Sequence, residues 1–374
     1  MSTKKPVSTK EKRAKVLLLG VYAPYNKELA QEDYLDEFLS LIKTLGLEYD
    51  TKIFTKLRHI DKGYFLTKGK LNDLLKTCQE NNIEEVVCSE LLTPLQERNL
   101  EDYLGCTVYD REQLILEIFQ NSAHTAEGKI QVEMAQLEYF KTRLAGKGVQ
   151  LAQQAGHIGT RGPGETEKEL IKRHLTEKFR QAKKRLEALK KSREVQRKQR
   201  LKSKLPFICL VGYTNAGKSS IINILTKSKV LAEDKLFATL DTTTRELYID
   251  HKKIGLISDT VGFISQLPHH LIEAFKSTLD ELKYADLLLH VVDVSNHSWP
   301  GQIEIVLDTL HELGVNQKNM LYVFNKTDLL SEKELEEVME EAKAYSPHVI
   351  THAKSKDGLN ELISYLNSVT FDNG

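Results

Sequence analysis

A chain of 374 residues with 40% hydrophobic and 28% charged residues has the composition of a globular protein of two or three domains. No run of about 18 apolar residues could cross a bilayer, and the N-terminus lacks the apolar core of a signal peptide, so we expect a cytoplasmic protein without a membrane partner. The four cysteines are scattered and form no Cys-x-x-Cys pair, which argues against a metal or redox centre.

The formal net charge of zero hides a separation of charge along the chain. Between Glu165 and Lys204 there are 16 Lys or Arg residues and 6 Asp or Glu residues, so this segment is strongly basic and the remainder of the chain is acidic. A charge asymmetry of this size indicates a polyanionic partner.

In the N-terminal part of the chain, sequence patterns typical of strands alternate with patterns typical of helices. Residues 1–15 are polar and Lys-rich, and we expect a disordered tail there. Across residues 16–125, apolar runs typical of buried strands alternate with helical patterns. The strands are expected at 16–19, 84–88 and 107–109, and the helices at 34–45, 69–81 and 94–104. This alternation predicts βαβ units and a small α/β domain with a parallel sheet, in which we find no catalytic constellation.

Residues 126–204 carry a helical pattern on both sides of a glycine-rich stretch, 146–167. The second helix places apolar side chains on one stripe, with basic residues around it, at Leu175, Phe179, Ala182, Leu186 and Leu189. The glycine-rich stretch is too permissive in backbone to be regular structure. We therefore predict an antiparallel helical pair with this stretch as the loop at its tip.

The C-terminal part, residues 205–374, begins with a buried strand that leads into a G-x-x-x-x-G-K-S motif and then into a helix. The motif consists of Gly212, Tyr213, Thr214, Asn215, Ala216, Gly217, Lys218 and Ser219. In such a P-loop the backbone N–H groups surround the β-phosphate of a nucleotide, Lys218 reaches the β- and γ-phosphates, and the Ser219 hydroxyl ligates Mg²⁺.

Two further motifs follow apolar strands in the order that a GTPase requires. The first is Asp259, Thr260, Val261 and Gly262, in which the Asp259 carboxylate can hold Mg²⁺ through water and the Gly262 N–H can meet the γ-phosphate. The second is Asn325, Lys326, Thr327 and Asp328. The Asp328 carboxylate can accept both N–H donors of guanine, a donor pair that adenine does not offer. Together the motifs predict a C-terminal P-loop GTPase domain of the Ras-like kind that uses GTP, releases GDP and requires Mg²⁺.

A polar segment lies between the P-loop and Asp259. It consists of Phe237, Ala238, Thr239, Leu240 and Asp241, followed by Thr242, Thr243 and Thr244. From chemistry alone, Thr239 and the three later threonines are equally eligible to complete the coordination of Mg²⁺ when the γ-phosphate is present. Phe263 stands where many GTPases have a glutamine that orients the attacking water, so intrinsic hydrolysis should be slow without a partner or a bound cation.

The strings GYTNAGKS, FATLD, DTVGF and NKTD, preceded by GTRGPGET after a helix that begins EGKIQVEMAQL, resemble the HflX family of ribosome-associated GTPases in the Obg-HflX group. The resemblance spans most of the chain. It implies that Thr239 is a Mg²⁺ ligand beside Ser219 and that 237–241 is the switch segment. We accordingly expect catalytic roles for Lys218, Gly262 and Thr239.

The same resemblance bears on two loops of the site. Asn215 resembles the P-loop asparagine that coordinates K⁺ in some potassium-activated GTPases. The alternative is that its side chain only makes a hydrogen bond that stabilises the loop. The guanine loop is expected at His352, Ala353 and Lys354, with His352 where the family usually has serine. The backbone N–H groups of Ala353 and Lys354 can still meet guanine O6.

The resemblance also implies a partner. It predicts binding to the large ribosomal subunit and its rRNA through the helical pair, and the splitting or rescue of stalled ribosomes. We expect a monomer that binds no DNA. The alternative is a G-protein switch that docks a protein partner through the helical arm, with the basic charge of the arm simply solvated.

Overall fold

The computed structural model describes residues 13–144, 167–202, 205–226, 235–240, 243–250, 252–268, 271–272, 275, 279–315 and 317–369, with side chains described outside 167–168 and 190–202. The chain forms two compact units. Unit 1 contains Met1–Pro24 and Leu47–Arg111, and unit 2 contains Tyr25–Gly46 and Glu112–Gly374. Residues 1–12 of the expected N-terminal tail and 146–166 of the glycine-rich stretch lie outside the described residues.

Helices and strands alternate along the described chain. The helices are α1 (Gln31–Leu45), α2 (Lys68–Asn81), α3 (Pro94–Leu104), α4 (Arg111–Ser122), α5 (Ala126–Arg143), α6 (Glu167–Lys202), α7 (Lys218–Thr226), α8 (Trp299–Glu312), α9 (Glu332–Ala342) and α10 (Asn360–Ser368). The strands are β1 (Val16–Tyr22), β2 (Thr51–Lys56), β3 (Glu85–Cys88), β4 (Thr107–Tyr109), β5 (Phe207–Gly212), β6 (Thr244–Ile249), β7 (Lys252–Ser258), β8 (Leu287–Asp293), β9 (Met320–Asn325) and β10 (His348–Ile350).

Unit 1 is built on a four-stranded sheet in the order β2-β1-β3-β4, and every pair of neighbouring strands is parallel. Side chains from α2 and α3, such as Leu74 and Leu100, share one core with Leu19 and Val86 of the sheet. The predicted parallel sheet is confirmed, as are the strands near 16, 85 and 107. Strand β2 was missed because it is an edge strand in which half-buried residues alternate with exposed ones and apolar residues are few.

The boundary of the first domain differs from the one expected from the sequence. The sequence assigns 16–125 to a single domain, whereas the structure places Tyr25–Gly46, with α1, and the residues from Glu112 onward, with α4, in unit 2. For α4 the physical reason is that its aromatic side chain packs against other residues of unit 2. On α4, Phe119 packs edge to face against Phe237 and Phe275, with ring centroids 4.7 Å and 5.0 Å apart.

Helices α5 and α6 form an antiparallel pair within unit 2. Near one end Leu137 packs with Ile171 and Leu175, and towards the other end Ile130 packs with Leu186. The apolar stripe predicted for the second helix therefore lies at the contact between the two helices. Outside that stripe the described side chains of α6, residues 169–189, are largely exposed, and the charged ones are mostly basic.

Unit 2 also contains a six-stranded sheet in the order β10-β9-β8-β5-β7-β6, in which only β6 runs antiparallel to its neighbour. Strands β5, β8 and β9 are almost fully buried, as expected for parallel strands covered on both faces. Because parallel strands end at one edge of the sheet, the segments that follow β5, β7 and β9 come together there. Within the described ranges, no helix combines the length and hydropathy that a membrane span requires.

Candidate nucleotide-binding site

The P-loop connects the end of β5 at Gly212 to the start of α7 at Lys218. Gly212 and Gly217 have φ of 148° and 97°. A Cβ on Gly212 would lie 2.2 Å from the carbonyl oxygen of Val291, and a Cβ on Gly217 would lie 2.2 Å from Nδ2 of Asn325. Both positions require glycine for two reasons: residues of neighbouring strands approach the loop too closely to leave room for a Cβ, and the backbone has a positive φ.

Lys218 is buried beneath this loop. Its ammonium donates hydrogen bonds to the carbonyl oxygens of Gly212 (3.1 Å) and Tyr213 (2.7 Å). Burial lowers the pKa of Lys218 to about 8, and the nearby Asp259 carboxylate acts in the opposite direction. The loop therefore holds the ammonium with its own carbonyl groups at the position where the motif places phosphate.

Three oxygen-bearing side chains converge at the start of α7. The Ser219 hydroxyl donates to Oδ2 of Asp259 (2.7 Å) and lies 2.9 Å from the hydroxyl oxygen of Thr239. Burial raises the pKa of Asp259, while Lys218 and hydrogen bonds from Ser219, Thr239 and the Thr260 N–H act to lower it. Two hydroxyls and one buried carboxylate are the oxygen donors that Mg²⁺ prefers, so these residues fit that ion.

The segment after β7 is hydrogen-bonded to the first residues of the P-loop. The Phe263 N–H donates to the carbonyl oxygen of Gly212 (3.1 Å), and the Thr214 N–H donates to the carbonyl oxygen of Phe263 (2.7 Å). Gly262, which directly precedes Phe263, lies so close to Lys218 that an added Cβ would be 3.0 Å from Nζ. Phe263 itself is buried. Gly262 thus stands beside the ammonium, as the motif requires for a contact with the γ-phosphate.

The loop after β9 is tied to the P-loop and to the loop after β10. The Asn325 amide donates to the carbonyl oxygen of Ala216 (2.9 Å), and the Thr327 hydroxyl donates to the carbonyl oxygen of Thr351 (2.9 Å). The Asp328 carboxylate, the predicted guanine acceptor, lies 2.7 Å from Nζ of Lys354. The structure therefore brings the two predicted guanine loops into direct contact.

Comparisons with known proteins cover the same regions. Residues 32–120 match the family model described as GTP-binding GTPase N-terminal, residues 122–200 match GTP-binding GTPase Middle Region, and residues 207–326 match 50S ribosome-binding GTPase. The chain is 44% identical over 363 residues to the GTPase HflX of Lacrimispora saccharolytica, which covers 97% of this chain and 84% of the relative. This chain belongs to the HflX family of GTPases. It accordingly binds GTP and GDP and hydrolyses GTP, and the family resemblance drawn from its motifs is confirmed.

Two further similarities extend the comparison. The HflX of Escherichia coli K12 is 42% identical over 318 residues, which is 85% of this chain and 74% of the relative. Among solved structures, a GTP-binding protein from Sulfolobus solfataricus in complex with GDP is 24% identical, with a TM-score of 0.45, and the match covers 95% of this chain and all of that one.

In this HflX GTPase the phosphate side of the site is a cavity that is partly open to solvent. Its walls come from the P-loop, the start of α7, the switch segment and the segment after β7, and they comprise Thr214, Asn215, Gly217, Lys218, Ser219, Ser220, Lys235, Phe237, Ala238, Thr239, Thr260 and Gly262. Asp241 and Thr242 lie outside the described residues. The other expected site residues, among them Leu240, Val261, His352 and Ala353, do not line this cavity. Leu240 and Val261 are buried.

Several neighbours of the site were not found from the sequence. Lys235 and Ser220 line the cavity, and Asp293 at the end of β8 forms an ion pair with Lys326 (2.7 Å). His290 is fully buried on β8, where burial and the nearby Lys218 lower its pKa to about 3. His290 and Asp293 belong to no motif, so only the packing of β8 beside β5 and β9 brings them to the site, whereas Ser220 directly follows the P-loop motif on α7.

Proposed function

We propose that this GTPase binds the large ribosomal subunit in the cytoplasm and couples GTP binding and hydrolysis to the splitting or rescue of stalled ribosomes. The observation that carries the proposal is the basic surface of α6. Its apolar stripe is occupied by α5, and the lysines at 172, 183 and 184 are exposed. A row of exposed cations on a rigid helix suits the phosphate backbone of rRNA, because each contact releases condensed counterions.

Not every cation on this helix is equally available. Arg180 pairs with Glu177 (2.8 Å), and Arg185 pairs with Glu133 on α5 (2.6 Å). Ion pairs at such exposed sites contribute little to stability, so rRNA could displace the carboxylates. The description of the model matched by 207–326, a 50S ribosome-binding GTPase, supports the same partner. We further propose that the protein acts as a monomer and binds neither DNA nor a membrane.

For the chemical step we assign the side chains of the cavity as follows. Lys218 binds the β- and γ-phosphates, and the Gly262 N–H donates to the γ-phosphate. Ser219 and Thr239 would hold Mg²⁺, with the Asp259 carboxylate holding a water of its shell. Bound Mg²⁺ supplies neutralisation of the charge that develops on the phosphate oxygens. Thr239 is preferred over the later threonines because its hydroxyl lies 2.9 Å from that of Ser219.

Base recognition is assigned to the loops after β9 and β10. In the proposed complex Asp328 accepts the two guanine donors in place of its present partner Lys354, and the N–H groups of Ala353 and Lys354 meet guanine O6. Asn325 and Thr327 hold the loop in place through the bonds described above. Asn215 has a φ of 60°, which asparagine tolerates well, so the loop-stabilising role is available to it. A comparison of hydrolysis rates in K⁺ and in Na⁺ separates that role from K⁺ coordination.

The decisive experiment is sedimentation with purified ribosomal subunits and 70S ribosomes. We expect association with the large subunit when a non-hydrolysable GTP analogue is bound, weaker association with GDP, and a fall in light scattering as 70S particles separate. Lys218→Ala should abolish hydrolysis and nucleotide-dependent association. If the wild type bound ribosomes neither with GDP nor with the GTP analogue, the proposal would fail. The alternative, a G-protein switch that docks a protein partner, would then be favoured.

A further inference from the structure

Helix α1 carries a buried carboxylate that reaches the nucleotide site from outside every motif. Glu37 lies on this helix and is 9% exposed. One carboxylate oxygen accepts a hydrogen bond from the hydroxyl of Tyr213 in the P-loop, and the other accepts from the hydroxyl of Ser265, three residues after Gly262. A single side chain therefore joins the P-loop to the segment that follows Gly262.

The three groups form a closed hydrogen-bonded triangle. The Ser265 N–H donates to the Tyr213 hydroxyl oxygen (2.7 Å), and that hydroxyl in turn donates to Glu37. Tyr213 and Ser265 are 5% and 6% exposed, so the triangle is shielded from water. Hydrogen bonds to a charged acceptor are stronger than neutral ones, and in a shielded site they are strengthened further.

The next residue along the chain is held by the same part of the molecule. The Gln266 amide donates to the Asn26 side-chain oxygen and to the Tyr34 hydroxyl (3.1 Å). Gln266 has a φ of 50°, a conformation that non-glycine residues adopt rarely and that surrounding contacts must maintain. Residues 25–46 thus hold two consecutive positions of the segment after Gly262.

We infer that Glu37 is a positioning residue for GTP hydrolysis, which keeps Gly262 beside Lys218 by bonding the P-loop to the segment around Ser265. In this structure Gly262 lies against the Lys218 ammonium, where its N–H can meet a γ-phosphate. Stabilising this geometry favours GTP over GDP, because only GTP has the γ-phosphate that Gly262 meets. The inference rests on the phosphate-site assignment under Proposed function.

Helix α1 offers a matched control one turn earlier. Asp33 accepts a hydrogen bond from the Ser298 hydroxyl, next to α8, just as Glu37 accepts one from Ser265. Both carboxylates attach the same helix to serines of the same compact unit. Only Glu37 touches the P-loop, so the two differ in the property under test.

The experiment measures the affinities of Glu37→Ala and Asp33→Ala for GDP and for a non-hydrolysable GTP analogue, together with kcat and KM. For Glu37→Ala we expect the affinity for the analogue, relative to GDP, to fall about tenfold, with a comparable fall in kcat, from the loss of charged hydrogen bonds. For Asp33→Ala we expect that affinity ratio to stay within about twofold of wild type while thermal stability falls. Equal ratios in the two variants would show that Glu37 only attaches the helix, and the inference would be overturned.

Two further variants keep the test decisive if Glu37→Ala does not fold. Glu37→Gln keeps the size and one acceptor oxygen, and Ser265→Ala removes one hydroxyl, so each should shift the ratio in the same direction by a smaller factor. Combining Ser265→Ala with Glu37→Gln should give less than the product of the two single effects, since both act on one network. No shift in either variant would overturn the inference. Wild-type binding by Lys218→Ala would instead show that the phosphate-site assignment is wrong.

Discussion

Gly217 marks the point where the P-loop meets the loop after β9, to which we assign base recognition. Asn325 donates to the carbonyl oxygen of Ala216, and the space for that amide exists only because Gly217 has no side chain. One residue without a Cβ therefore allows the two halves of the nucleotide site to share a hydrogen bond.

For Gly217→Ala we expect a loss of stability of about 2 kcal/mol and weaker GDP binding, because the methyl group displaces Asn325 and the φ of 97° is strained. Urea unfolding and GDP titration measure the two effects. Gly314→Ala is the matched control, since Gly314 has a φ of 69° but no atom within 4 Å of an added Cβ. It should lose about 1 kcal/mol from backbone strain alone and keep its GDP affinity. Equal losses in the two variants would contradict the steric argument.

We expect base specificity to depend on Asp328. Its carboxylate is largely buried and is neutralised by Lys354 in the structure. Guanine recognition exchanges that partner for two N–H donors, whereas adenine would leave the carboxylate without them.

For Asp328→Asn we expect GTP and GDP affinities to fall by about 100-fold, because two hydrogen bonds to a charged acceptor are lost. Xanthosine triphosphate carries a carbonyl oxygen where guanine has its amine, so it should bind this variant better than the wild type. Competition against labelled GDP measures both. Asp308→Asn, a change at an exposed site on α8, should leave all three affinities unaltered. Displacement of GDP from the wild type by ATP would refute the assignment.

At the scale of elements, the attachment of residues 25–46 is distributed over several contacts. The Ala30 N–H donates to the Ser298 hydroxyl (3.0 Å), and the Leu236 N–H, beside the switch segment, donates to the hydroxyl of Thr44 (3.1 Å). Near the first of these, α8 presents Gly301, where an added Cβ would lie 1.7 Å from the Glu28 carbonyl oxygen. A main-chain segment thus lies directly on a glycine of the helix.

For Gly301→Ala we expect destabilisation by about 2 kcal/mol or more, although alanine favours a helix over glycine by about 1 kcal/mol, because the methyl group meets backbone rather than a movable side chain. Gly69→Ala on α2, where an added Cβ meets nothing within 4 Å, should be neutral or slightly stabilising. Thermal unfolding of the two variants checks the difference in sign. If Gly301→Ala were as stable as Gly69→Ala, the close approach of residue 28 to α8 would be wrong.

At the scale of the whole molecule, the separation of charge along the chain is what bears on binding to a polyanionic partner. The net charge is zero, yet α6 concentrates basic residues on a helix whose apolar side is already occupied. Binding to a polyanion through such a helix should depend steeply on salt concentration.

We expect Lys183→Glu combined with Lys184→Glu to weaken large-subunit binding and to flatten its dependence on salt, since contacts with phosphate are replaced by repulsion. Both lysines are exposed, whereas Arg185 is paired with Glu133 and is a poorer site for the test. As a control, Lys333→Glu combined with Lys343→Glu on the surface of the C-terminal GTPase domain changes the net charge equally. Sedimentation with the large subunit across a series of salt concentrations should show weakened binding for the first double variant and wild-type binding for the second. GTP affinity in the absence of ribosomes should be unchanged in both.

Much of the nucleotide site follows from the sequence, because its motifs are continuous strings that each follow a buried strand. The P-loop after β5, the Asp259 segment after β7 and the Asn325 segment after β9 need only a parallel sheet to reach one edge together. The sequence also determined the helical pair, since an apolar stripe at helical spacing requires a partner and the adjacent helix supplies it.

Only the tertiary structure decided where α1 belongs and what Glu37 does. The hydrophobic pattern of 34–45 shows that one face of the helix is buried, but it contains no information about which elements cover that face. Glu37 meets Tyr213 across 176 positions of sequence, and Asp293 meets Lys326 only because β8 lies beside β9. Contacts of this kind depend on the packing of whole elements, so the residues that make them carry no local signal.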